Sequence, residues 1–523
     1  MKTNLRSLTL GSVALLLALL PGLPAHADTI LAQAPPAQGK AAPAPSPASP
    51  PEKRDVSALF PPPAVSRQST GQGAGRLAYT ATAATLPLPG PKGSAAAHVF
   101  HVGYTLDEGN ARRPITFVFN GGPGAASAFL HLGAMGPRAV NFEANGAAPV
   151  MPVALTDNPD TWLAFTDLVF VDPVATGYSR STAGTEEGDR AYFGVEKDAD
   201  AISDFVRLYL TRTGRLLAPV FLVGESYGGF RAGLVADKLL SGGIGVKGLL
   251  LVSPALEFSM LRHNPYALLP QALVLPSIAA THIELRDGPQ GSLDILPEVE
   301  RFAREKYLVH MAAGLKNDAE VEAALARYTG LSADVIRGHY GRVTVRTFAR
   351  EHQKRGDRVL SRYDGVISAA VPRRSERHFD PILDGATSVL APAFAQYARG
   401  ELGYRTDLTY ELLNRGVSGH WDYGTSPTRQ GFAGMLDELQ KARTHNPGLG
   451  VLITHGYTDL VTPYSVSRHL IDQLAPIDKA RPIELKVYRG GHMMYLRPTS
   501  RAALTQDARA FYEQLSKPVA KGP

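Results

Sequence analysis

The sequence predicts an α/β fold with a mostly parallel central sheet, helices on both faces and an inserted helical cap. Three observations lead there. Short apolar runs recur at His98–Leu106, Ile115–Asn120, Asp167–Asp172, Val220–Gly224, Gly248–Ser253, Gly450–Thr454 and Ile483–Tyr488. Several of these are continuously apolar, as strands buried on both faces must be, and helical stretches such as Asp198–Thr211 separate them, as parallel crossovers require. Between about Leu256 and Gly400 the alternation gives way to helical patterning.

Along the chain, Lys2 and Arg6, an apolar stretch Leu8–Leu20 closed by Pro21, and Ala25-His26-Ala27 before Asp28 read as a secretory signal peptide over residues 1–27. The apolar stretch is shorter than the ~20 residues a bilayer span needs, so export with cleavage is expected over stable membrane insertion, and the mature chain is expected in the periplasm or outside the cell. Residues 28–75 are Ala/Pro-rich, then Gly-rich at Gly71-Gln-Gly-Ala-Gly75, and read as an extended linker. The core is expected over 76–255, beginning with the strand Leu77–Leu88, and again over 401–518, closed by a helix near Arg501–Leu515. The cap is expected over 256–400. Within it Val321, Leu325 and Tyr328 share a helix face, and Asn317/Asp318 and Ser332 are expected N-caps.

Composition narrows the function classes. With 44% apolar and 20% charged residues the chain is globular. Losing Lys2 and Arg6 with residues 1–27 lowers the net charge from +6 to +4, and the excess is not clustered into basic runs, so no nucleic-acid partner is expected. The absence of cysteine excludes disulfides, thiolate metal sites and cysteine nucleophiles, and suits a bacterial exported protein held together by its core. No Walker loop or H-E-x-x-H helix occurs, so no cofactor and no metal are expected. Gly243-Ile-Gly245-Val-Lys-Gly248 has the letters of a dinucleotide fingerprint but precedes a strand instead of following one.

The chemistry-bearing motifs sit where strands end. Gly224-Glu225-Ser226-Tyr227-Gly228 follows Pro219–Val223 and opens a helical stretch from Phe230 to Leu240, the arrangement of a nucleophile elbow. A serine hydroxyl needs a base to take its proton and a carboxylate to orient that base. Asp459, after Gly450–Thr454, and His492, after Ile483–Tyr488, are expected to supply them, in the chain order of an α/β-hydrolase. His455 is the competing base, but it occupies the aspartate's own loop. Asn120-Gly121-Gly122-Pro123-Gly124 ends another strand and can be a simple turn or donate to an oxyanion, with Tyr227 N–H as the second donor. Tyr178, Tyr464 and Met493 are expected in the core or along the pocket.

Together, Asn120-Gly-Gly-Pro-Gly124, Gly224-Glu-Ser-Tyr-Gly228, Asp459 and Gly491-His492-Met493 resemble the serine carboxypeptidase family (peptidase family S10, in a bacterial form). So does the stretch from Asn158-Pro-Asp-Thr-Trp162 to Phe170-Val-Asp-Pro-Val-Ala-Thr-Gly-Tyr-Ser179. The resemblance implies a Ser226–Asp459–His492 triad, oxyanion donors at Gly122 and Tyr227, and a substrate-carboxylate site at Asn120 and Glu225, acting on peptides with a free C-terminus. Glu225 beside a bound carboxylate requires a shared proton, so activity is expected to favour acidic pH. Val118 stands where that family commonly has tryptophan, Ala125 where it has cysteine, and Ala134 where it has a second glutamate. An esterase or acyltransferase on the same fold is the alternative, and a catalytically silent envelope protein the third reading. Oligomeric state is not legible.

Overall fold

The computed structural model describes residues 56–90, 94–261, 266–352, 358–370, 379–424 and 433–517. The expected signal peptide and the linker up to residue 55 lie outside them. The main sheet contains β1 (Ala64–Thr70), β2 (Leu77–Pro89), β3 (Ala95–Leu106), β4 (Ile115–Phe119), β5 (Asp167–Val171), β6 (Val220–Glu225), β7 (Val246–Val252), β8 (Gly450–Gly456) and β9 (Ile483–Tyr488). In space they run β1-β2-β3-β5-β4-β6-β7-β8-β9, with a two-residue strand at Arg180–Ser181 added to β3. Pairings from β5 through β4 to β9 are parallel, and those from β1 to β5 antiparallel.

The period-2 geometry of a strand sends alternate apolar side chains to opposite faces. Val118, Val223, Leu250 and Leu452 join one core cluster, with Phe511 and Tyr512 of the closing helix. Phe117, Leu222, Leu249, Leu251 and Ile453 join the other, with Ile202 and Phe205 of α1 (Val195–Arg212) and Leu234 and Val235 of α2 (Tyr227–Ser241). Both faces are therefore covered by helices, which is why these strands read as unbroken apolar runs. Of the fingerprint-like glycines, Gly243 and Gly245 lie in the turn leading into β7 and Gly248 lies within β7 itself.

Two expected boundaries move. Residues 64–70 are not linker: their backbone pairs antiparallel with β2 from Ala64↔Ala83 to Thr70↔Leu77, which lengthens the sheet by an edge strand. The helical insertion also ends earlier than residue 400. Its own core runs from Ala272 to Leu360, built from α3 (Leu275–Asp287), α4 (Ala319–Thr329) and their neighbours, with Leu460 from the loop after β8 inserted into it. Asp318 caps α4 by accepting from the Glu320 and Val321 N–H groups, and Ser332 caps the next helix. By contrast α5 (Pro381–Gly400) packs Val389, Leu390, Phe394 and Tyr397 into the first sheet core, where the Tyr397 hydroxyl lies 2.9 Å from that of Tyr104. Its apolar stripe fits the sheet face instead of the insertion. Leu268–Asp287 is long and apolar enough to cross a membrane by composition alone, but most of it is buried in the insertion core.

Candidate active site

Ser226 stands between β6 and α2 with φ 58° and ψ −122°, a conformation L-residues avoid unless the surroundings impose it. Its backbone is held on both sides. The Ser226 N–H donates to the Val252 carbonyl at 2.9 Å, and its carbonyl accepts from Ala255 at 3.1 Å as well as from the first turn of α2. Close approach by the Gly-rich loop explains why position 121 is glycine. A Cβ there would lie 2.6 Å from both the Glu225 carbonyl and the Tyr227 nitrogen, and 2.9 Å from Ser226 Cβ. The loop thus lies against the elbow. Among the described residues, neither the Gly122 nor the Tyr227 N–H donates to another backbone carbonyl.

His492 and Asp459 come together in the loops after β9 and β8. The imidazole Nδ1 is 2.9 Å from Asp459 Oδ2, with both side chains buried. A carboxylate facing Nδ1 holds the proton there and leaves Nε2 as the basic nitrogen. Asp459 Oδ1 accepts from the Val461 and Thr462 N–H groups at 2.8 and 3.0 Å, so the carboxylate cannot swing. Burial opposes the imidazolium, but the charge and hydrogen bond of Asp459, with the Glu225 charge, outweigh it and raise the His492 pKa above its ordinary value. His455 is not placed to serve as base. It is buried on β8, its Nε2 is 2.8 Å from Ser467 Oγ, and burial lowers its pKa to about 4.

Glu225 is buried beside the serine, and its oxygens take hydrogen bonds from the Asn120 amide and, at 3.0 Å each, from the Tyr495 hydroxyl. Burial pushes the carboxyl up to about 7, against the opposing pull of the His492 charge and these hydrogen bonds. Asn120 is itself oriented: its side-chain oxygen accepts from Leu130 N–H at 3.1 Å, and its carbonyl from Arg231 at 2.7 Å, with Arg231 paired to Asp198. The site can therefore hold or release a proton on Glu225 near neutral pH, next to a strained serine and a carboxylate-oriented imidazole.

Sequence reading missed several supporting groups. Thr462 Oγ1 lies 2.8 Å from Asp459 Oδ2 and 3.0 Å from His492 Nδ1, and its position three residues past Asp459 was the available signal. The Ser253 hydroxyl donates to the His492 carbonyl at 2.8 Å. Tyr363, on the segment after the insertion core, accepts from His492 N–H and sets its ring edge-on to the imidazole at 5.2 Å. Nothing local in the sequence marks it. A Cβ at Gly491 would lie 1.9 Å from the Tyr363 carbonyl, so this glycine lets the segment reach the histidine loop. Tyr178 and Met493 are buried in the sheet core, and Tyr464 donates to Glu300 of the insertion at 2.8 Å. Among the described residues no group of acidic or histidine side chains could hold a metal.

Sheet, elbow and flanking helices define an α/β-hydrolase fold. A family model described as serine carboxypeptidase matches residues 91–248, which include Asn120–Gly124 and Ser226 but neither Asp459 nor His492. Over that stretch the chain is similar to the serine carboxypeptidase family. Serine carboxypeptidase ctsa-3.1 of Caenorhabditis elegans is 29% identical over 140 residues, covering 25% of this chain and 21% of the relative. The chain thus spans about a fifth of the length of the curated relative it matches. Among solved structures, Kex1(delta)p, a prohormone-processing carboxypeptidase from Saccharomyces cerevisiae, is similar with TM-score 0.55 at 16% identity, over 83% of this chain and 92% of that one. A proline iminopeptidase from Mycobacterium smegmatis reaches TM-score 0.34 at 14% identity, over 86% of this chain and 99% of that one.

Proposed function

We propose that this chain is an exported serine carboxypeptidase that removes C-terminal residues through a Ser226–His492–Asp459 triad. In this reading Ser226 Oγ attacks the carbonyl of the last peptide bond while His492 Nε2 takes its proton, and Asp459 steadies the imidazolium. The oxyanion is met by the N–H groups of Gly122 and Tyr227. His492 then gives the proton to the departing amino group, the C–N bond breaks, and an acyl-serine remains. Water, activated by the same imidazole, hydrolyses the ester and restores Ser226.

One observation carries the choice of substrate: a buried carboxyl on the residue next to the nucleophile, held by Asn120 and able to carry a proton near pH 7. A protonated Glu225 can donate to the terminal carboxylate of a peptide, whereas an ionised one repels it. Free-acid substrates should therefore gain on their amides as pH falls through about 7. Protonation of His492 sets the opposite, low-pH limit on turnover.

The test is hydrolysis of matched blocked dipeptides with a free, amidated or esterified C-terminus from about pH 4 to 8, with Ser226→Ala as control. A Ser226-dependent preference for the free acid that grows toward low pH supports the reading. Ester cleavage without cleavage of the peptide acid replaces it by an esterase or acyltransferase. Export is tested separately by mass spectrometry of the mature chain. An N-terminus at Asp28 supports it, and an intact residue 1 counts against it.

A further inference from the structure

The carboxyl beside the nucleophile has a second partner that the sequence motifs do not contain. Tyr495 lies on the short helical turn Met494–Leu496, three residues past His492, and is fully buried. Its hydroxyl is 3.0 Å from each oxygen of Glu225. The ring reaches this position across a bare stretch of backbone: a Cβ on Gly133 would lie 3.2 Å from Tyr495 Cε2 and 3.1 Å from a Leu496 methyl. The neighbouring Ala134 is buried and carries only a methyl. Small side chains at 133 and 134 leave room for a phenol at the carboxylate site.

We propose that Tyr495 is a positioning and specificity residue, whose phenol fixes the Glu225 carboxyl against Asn120 and controls its proton exchange with a substrate's terminal carboxylate. The proposal rests on the carboxypeptidase reading above. A phenol differs from a second carboxyl in one respect that matters here. Burial raises the Tyr495 pKa well above its ordinary value, so it stays a donor throughout the working range and Glu225 is the acid that titrates within the Glu225–Asn120–Tyr495 cluster. One proton then lies between Glu225 and the substrate carboxylate. The exchange breaks and forms only the O–H bond to that proton, no C–O or C–N bond changes, and Tyr495 donates to whichever Glu225 oxygen that proton leaves free.

The other charged or titratable groups bearing on Glu225 are His492 and Asp459, from the loops after β9 and β8, and Tyr363, from the segment packed on the histidine. Tyr495→Phe leaves all three in place and removes one hydrogen bond that favours the ionised carboxyl. Ionisation of Glu225 must then require a higher pH. Losing a hydrogen bond to a charged group corresponds to an upward displacement of about one pH unit.

The experiment compares the full-length protein and Tyr495→Phe through the ratio of KM for a blocked dipeptide acid to KM for its amide, from pH 5 to 9. The expected result is the same rise of the ratio with pH, displaced upward by about one unit in the variant. Gly133→Ala, which presses a methyl against the ring edge, should displace it in the same direction and covers the case in which Tyr495→Phe fails to fold. A ratio curve that stays in place in folded variants, with acid and amide KM changing together, overturns the proposal and leaves Tyr495 a packing residue. Absence of Ser226-dependent cleavage of the peptide acid by the unaltered protein overturns the carboxypeptidase reading itself, and this inference with it.

Discussion

Glu225→Gln isolates the group on which the proposed substrate choice rests. With its carboxyl at about 7, Glu225 is ~90% protonated at pH 6 and ~10% at pH 8, so KM for a peptide acid should rise about tenfold between them. The KM of the matching amide, which has no carboxylate to repel, should not follow. Glutamine cannot ionise, and its NH₂ can still donate, so the variant should show a flat acid-to-amide ratio across the same range. The substitution also has a stability signature. A buried acid whose pKa is raised on folding binds its proton more tightly folded than unfolded, so its contribution declines as pH rises from the ordinary 4.5 to about 7. That gap is worth roughly 3 kcal/mol. Urea unfolding at pH 5 and pH 8 should therefore show the unaltered protein losing stability relative to Glu225→Gln by about that amount. Steady-state kinetics on the acid and amide pair is the deciding assay. A tenfold rise in the acid-to-amide ratio that persists in Glu225→Gln would refute the assignment of the proton to this residue.

Asp459→Asn should leave binding nearly unchanged while lowering kcat by about 10³–10⁴, because the amide no longer fixes the Nδ1–H tautomer of His492, 2.9 Å away; a loss below tenfold would count against the triad. Gly121→Ala places a methyl 2.6 Å from two fixed backbone atoms of the elbow and should cost about a hundredfold or more in kcat, read against an unfolding curve. Arg497 bridges Glu284 of the insertion, at 2.6 Å, and Asp364, at 2.8 Å, with all three side chains buried behind the histidine loop. Arg497→Ala leaves buried Asp364 without its cation and Glu284 with only Arg489, 3.9 Å away, and should cost about 3–5 kcal/mol in urea unfolding; a change under about 1 kcal/mol would mean that the bridge is not needed to dock the insertion.

The local signals were strong where one short segment carries its own constraint. Apolar runs such as Val220–Val223 and Leu249–Val252 announced buried parallel strands because a strand covered on both faces has no polar side to show. Ser226, Asp459 and His492 could be placed at strand ends from glycine and strand order alone. The edge strand Ala64–Thr70 was hidden by its flanks and by polar residues, since an edge strand with half-exposed side chains need not alternate cleanly. Helix Pro381–Gly400 was grouped with the insertion because periodicity gives a helix and its stripe, but not the surface that stripe covers.

By itself, then, the sequence determined the layered α/β architecture, the elbow and the types of residue available for catalysis, all properties of segments a few residues long. Only the tertiary structure decided which groups meet. The 2.9 Å contact of His492 with Asp459 spans 33 positions, the contacts of Glu225 with Asn120 and Tyr495 span 105 and 270, and the Tyr363 carbonyl comes to His492 from the far side of the insertion. The proton affinity of Glu225 follows from those meetings, because burial and the charges brought around a carboxyl, not its place in the chain, set the cost of ionising it.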